Sequence, residues 1–82
     1  MKLNVLLKKL RAQRRLTQKE LAERLGYSAQ FVSNWERGLS LPPAKCFKKL
    51  ALALGTHERL LTRYLLKHLL LRKEELIKEK SN

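Results

Sequence analysis

With 82 residues and a single cysteine, Cys46, the chain reads as one small domain that no intrachain disulfide can staple. Nineteen Lys and Arg against seven Asp and Glu leave a net charge of +12, so the expected partner is anionic, with nucleic acid first. Enzyme chemistry finds no footing: there is no Gly-rich phosphate loop and no nucleophile paired with a base. His57 and His68 lack Cys, His or Asp companions at ligand spacing, so neither metal nor cofactor is expected.

Asn4 is the N-cap candidate of a first helix running to about Arg14, with Leu6, Leu7 and Leu10 as its inner stripe. A short turn follows. The second helix opens at Thr17, and Glu20 three residues on completes a capping box. Leu16 and Leu21 flank it as a hydrophobic staple, Leu21, Ala22 and Leu25 form one apolar face, and Gly26 suits a left-handed C-terminal position. Ser28 is the N-cap candidate of a third helix ending before Gly38. Two capped helices around a short Gly-containing turn form a helix-turn-helix pattern.

Leu39 to Pro43 reads as an extended loop, because residues before proline avoid the α region. Pro42 or Pro43 is expected in the first turn of a fourth helix, which carries Phe47, Leu50, Ala51 and Leu54 and stops at Gly55. Cys46 falls in that apolar pattern and reads as a buried structural thiol. Thr56 is the next N-cap candidate. A last helix from about His57 to Glu79 would be ~33 Å long at 1.5 Å per residue. It is apolar around more of its circumference than one stripe requires. One face is expected to pack on the other helices and the rest on the same helix of a second subunit, through Leu61, Leu65, Leu66, Leu69, Leu70 and Ile77.

The third helix divides cleanly by angle. With Ala29 at zero, Ser33, Arg37, Gln30 and Asn34 fall within an arc of about 140°, while Phe31, Val32 and Trp35 fall opposite, at roughly 200–300°. A polar arc of amides can enter a groove: Gln and Asn pair bidentately with adenine, Ser serves several bases, and Ala touches a thymine methyl. Taken alone, the same arc reads as an ordinary solvated helix face. Phosphate contacts are expected from Lys19, Arg14, Arg15, Arg37 and Lys45 around the same face.

At Leu10-Arg11, Leu16-Thr17-Gln18, Glu20-Leu21-Ala22, Leu25-Gly26, Val32, Trp35-Glu36-Arg37-Gly38, Pro42, Leu50-Ala51 and Leu54-Gly55 the chain resembles the lambda-repressor-like (Cro/cI, or XRE) helix-turn-helix DNA-binding family. The spacing is intact over residues 4–55. Arg15 departs from it, standing where a small turn residue is common. The resemblance implies an all-α, five-helix lambda-repressor-like DNA-binding domain with an extended C-terminal helix. Residues 1–55 would be the helix-turn-helix core, with the recognition helix at about 28–37; the long C-terminal helix, residues 56–82, lies outside the shared pattern, and its expected use in dimerisation rests on its apolar excess alone. The resemblance further implies that Ala29, Gln30, Ser33 and Asn34 face the major groove and make the base contacts, that Gln18 contacts phosphate and braces the recognition helix, and that Arg11 and Glu36 form a partly buried structural ion pair.

The function expected is a sequence-specific regulator of transcription, a repressor bound to double-stranded DNA as a homodimer. The rival reading is an antitoxin or protein-interaction module that takes a small protein partner through the last helix. A membrane is not expected as a partner: Lys8, Lys9 and Arg11 interrupt the first apolar stretch, and Lys67 and His68 the last. A cytoplasmic, nucleoid-associated location follows as an expectation.

Overall fold

The structure is a computed structural model that describes the backbone of residues 1–80 and the side chains of residues 1–73. Five α-helices appear among them: α1 (Leu3–Gln13), α2 (Gln18–Leu25), α3 (Ala29–Glu36), α4 (Phe47–Leu54) and α5 (Glu58–Lys80). A 3-10 turn, Ala44–Cys46, leads into α4. The core is assembled from short apolar contributions of every helix, including Leu3, Leu7, Leu21, Val32, Leu50 and Leu61. None of the first four helices is long enough to be stable alone. Each is held by its buried stripe and by its ends.

The start of α2 shows how the ends work. Thr17 Oγ1 accepts the Glu20 N–H at 3.0 Å, and Glu20 Oε1 accepts the Thr17 N–H at 2.9 Å. Two donors that a helix start leaves unpaired are thereby satisfied. Leu16 and Leu21 on either side are both buried in the core.

Several local expectations are corrected. Asn4 is not a cap: α1 begins at Leu3, with Lys2 in the extended flanking position, because Leu3 is drawn into the core and leaves 2 % of its surface exposed. Asn4 instead donates its side-chain amide to the Glu36 carbonyl, 3.3 Å away. Ser28 takes the N-cap position of α3, but its hydroxyl makes no capping bond. Pro42 and Pro43 stand ahead of α4 and not inside its first turn. Pro43 is extended at ψ 138°, and the chain turns into helix only through Ala44–Cys46. Thr56 is not the N-cap of α5: the helix begins at Glu58, which puts His57 in the flanking position, while the Thr56 N–H closes α4 by donating to the Ala51 carbonyl at 2.9 Å. Phe31, expected inside, is 49 % exposed and packs edge-on against Tyr27.

Helix α5 is where one chain's core ends and something else begins. Leu61 is completely buried, and Leu60, Tyr64 and Leu65 pack partly against the core. Leu66, Leu69 and Leu70 point elsewhere and are 45–62 % exposed. Cys46 is buried, and desolvation pushes its thiol up from the ordinary value, as for a structural cysteine.

The capping box carries a pH signature. The Thr17 backbone N–H and hydroxyl hold the Glu20 carboxyl below its ordinary value. A depressed carboxyl adds stability above the ordinary carboxylate range and loses it as the pH falls through that range. Thr17→Ala is expected to cost ~1 kcal/mol at neutral pH. The destabilisation caused by Glu20→Ala should shrink between neutral and acid pH, as read from urea midpoints.

Candidate nucleic-acid interface

The third helix is anchored along its back and free along its front. Val32, Trp35 and Glu36 are buried, whereas Gln30 and Arg37 are exposed and Ala29, Ser33 and Asn34 are half-buried. The edge-on stack of Tyr27 on Trp35, with centroids 5.5 Å apart, fixes the turn that precedes α3.

The far end of α3 is fixed by charge. Arg11 Nε donates to Glu36 Oε2 at 2.6 Å, and Arg11 Nη2 donates to Glu36 Oε1 at 3.0 Å, a two-pronged pair. Gln18 Nε2 donates to the same Oε1 at 3.1 Å. Arg11 Nη1 reaches the Leu16 carbonyl at 2.6 Å, which ties the α1–α2 turn into the cluster. The Glu36 side chain is 4 % exposed and that of Arg11 15 %, so the carboxylate is out of water and every one of these donors matters. The Asn4 bond to the Glu36 carbonyl adds a fourth tie. Sequence reasoning reached the Arg11–Glu36 pair through the resemblance. It missed Asn4, whose only sequence signal, a short polar residue near a helix start, points to a cap.

On the front, Gln30 Nε2 donates to Asn34 Oδ1 at 2.9 Å. The two amides therefore stand as one unit, one helical turn apart. Gln30 Oε1 and the Asn34 amide N–H groups remain for an outside partner. An acceptor beside a donor is the pattern that matches the N6 donor and N7 acceptor of adenine.

The basic residues fall into two groups. Lys19, Arg15, Arg37 and Lys45 are exposed. Arg14 is exposed as well, but its guanidinium lies against Gly55, so closely that a side chain at Gly55 would overlap it. The last turn of α4 has no basic residue of its own, and its carbonyl end favours a cation there. Arg14 is thus held at this end of α4 while remaining at the surface, and it stays among the candidate phosphate contacts. Gln18 is partly occupied, with one amide N–H on Glu36 and the other unclaimed among the described residues.

Leu61 leaves the dimerisation set because it is 0 % exposed within its own core, while Leu65 is half-buried and packs partly against that core. Leu66, Leu69 and Leu70 remain on the surface, and the Ile77 side chain lies outside the described residues. Among the described residues no three His, Cys, Asp or Glu come together to hold a metal ion, and no helix is long and apolar enough to cross a membrane.

Removing the Arg11 side chain should leave the Glu36 carboxylate buried with only Gln18 as a side-chain donor. Arg11→Ala is expected to cost on the order of 3 kcal/mol, read from the urea midpoint, and to loosen the end of α3.

Comparison with known proteins places this geometry. A helix-turn-helix family model matches residues 7–61. The fold is similar to that of the P22 c2 repressor, solved in complex with the synthetic operator 9T, with a TM-score of 0.70 and 23 % identity over 74 % of this chain and 92 % of that one. No curated protein matches the sequence. The chain belongs to the lambda-repressor-like helix-turn-helix family, whose fold is that of DNA-binding regulators.

Proposed function

We propose that the chain is a sequence-specific regulator of transcription that binds double-stranded DNA with α3 in the major groove, acting as a homodimeric repressor. The observation that carries this reading is the arrangement of α3. A rigidly backed helix presents the joined Gln30–Asn34 amides, flanked by Ser33 and Ala29, and no other described residue engages them. A net charge of +12 supplies the sequence-independent attraction to phosphate. Arg14, Lys19, Arg37, Lys45 and the second amide N–H of Gln18 are the positioning contacts.

A single α3 reads only a half-site. The outward face of α5, with Leu66, Leu69 and Leu70, is the natural place for a second copy, because apolar side chains this exposed gain burial on pairing. A repressor role is supported by the operator-bound repressor of similar fold.

Two measurements test these roles separately. Sites selected from random DNA should show a palindrome with half-sites ~34–36 Å apart, and Gln30→Ala should lose ~1–3 kcal/mol on the selected site and little on scrambled DNA. Equal loss on both would remove Gln30 from base readout. The joined amides further predict that Gln30→Ala and Asn34→Ala combine to less than the sum of their separate losses.

For the dimer, sedimentation equilibrium should give twice the chain mass. Leu66→Glu combined with Leu70→Glu should return a folded monomer. A wild-type monomer that copurifies with a second small protein would instead favour the interaction-module reading.

A further inference from the structure

Four helices of this chain end in the same way. In each, the residue after the last full turn donates its N–H three residues back, and the next residue donates five residues back: Arg15 to Ala12 with Leu16 to Arg11, Gly26 to Glu23 with Tyr27 to Ala22, Gly38 to Trp35 with Leu39 to Asn34, and Gly55 to Leu52 with Thr56 to Ala51. This closure requires a left-handed residue. Three of the four are glycines, at φ 69–77°. The fourth is Arg15, at φ 56°, the sole non-glycine with positive φ among the described residues. An L-residue with a Cβ is disfavoured there, and glycine would adopt the same backbone without strain.

Among the described residues nothing repays that strain. Arg15 is exposed, and within them it makes no salt bridge. Its neighbour Arg14, also exposed, has its guanidinium turned to the end of α4. Arg15 stands in the turn that delivers Thr17 and Gln18, two residues ahead of the capped start of α2 and beside the Arg11 bond to the Leu16 carbonyl. The backbone around it is thus fixed on both sides.

We propose that Arg15 is a positioning residue for nucleic acid, kept in an unfavourable backbone conformation because its guanidinium reaches a DNA phosphate. The proposal rests on the reading of the chain as a DNA-binding protein. The left-handed turn fixes where the side chain leaves the surface, and the rigid start of α2 fixes that turn against Gln18 and Glu36. Stability and binding are then opposed at this one position. Glycine or asparagine relaxes the backbone and removes the charge, whereas lysine keeps both the strain and the charge.

The test uses the full chain and measures two things for Arg15→Gly, Arg15→Asn and Arg15→Lys. One is the thermal midpoint, and the other is anisotropy titration of a fluorescent random-sequence duplex at graded KCl. The glycine and asparagine variants are expected to melt a few degrees higher yet bind roughly 5–10-fold more weakly, with the slope of log affinity against log salt reduced by about 1 for each phosphate no longer neutralised. The lysine variant should keep the wild-type salt slope. A glycine variant that melts no higher overturns the strain argument. Unchanged affinity and slope in both neutral variants overturn the phosphate role alone. A wild-type chain that fails to bind the duplex at low salt overturns the DNA reading itself, and this proposal with it.

Discussion

Glu36 is the last residue of α3, and its carboxylate accepts from Arg11 on α1 and Gln18 on α2. Its backbone carbonyl accepts from Asn4 near the start of α1. Three helices therefore meet at one residue. Burying an ion pair is a poor way to gain stability, because both charges lose water and a well-packed apolar replacement is often as stable. What the arrangement supplies is direction. Apolar packing by Val32 and Trp35 holds α3 against the core but tolerates sliding and rotation. Hydrogen bonds to a buried carboxylate do not. The two-pronged Arg11 pair fixes the distance between α1 and the end of α3, and Gln18 fixes the start of α2 to the same atom. Since α3 has only eight residues, a constraint at its last residue governs the direction of the whole polar arc.

Helix α5 works differently, and its two halves carry different obligations. Near its start, Leu61 completes the core, with Leu60, Tyr64 and Leu65 around it. From Leu66 onward the apolar side chains turn away from that core, with Leu66, Leu69 and Leu70 open to solvent. A helix of uniform composition thus passes from internal packing to an open apolar surface within about one turn. The same side-chain chemistry serves both, so leucine content alone does not mark the boundary. The boundary is set by where α1 and α4 stop covering the helix.

That difference explains how much was legible in the sequence. Features that depend on a few neighbouring residues could be read directly: the Thr17–Glu20 box, the left-handed Gly26, the polar arc of α3 and the approximate extent of α5. Features that depend on what lies across the core could not. Asn4 near a helix start looks like a cap, and only the position of Glu36 shows that its amide is used across the interface. Arg14 and Arg15 are identical, exposed residues in one turn, yet the Arg14 guanidinium lies against Gly55 across the fold, which no local pattern signals. Angular arithmetic placed Phe31 with Val32 and Trp35, but the back of a two-turn helix is narrow, and its edge residue stays half outside against Tyr27. The same arithmetic counted the apolar faces of α5 without showing that Leu61 faces in and Leu66 faces out.

The Gln30–Asn34 bond bears on how such a helix could discriminate. Two independent amides on an exposed helix each sample several rotamers, and ordering them on a base carries an entropy cost. Joined at 2.9 Å, they have already lost part of that freedom in the free protein. The joined pair also removes one acceptor and one donor from the readable surface, which narrows the base edges it can match without leaving a buried group unpaired. A site whose bases fit the remaining acceptor and donors keeps the internal bond. A site that does not fit must break it or leave it unmatched. On the proposed reading, discrimination would then come from the state of α3 before DNA arrives, and would depend on the Glu36 cluster holding that helix still.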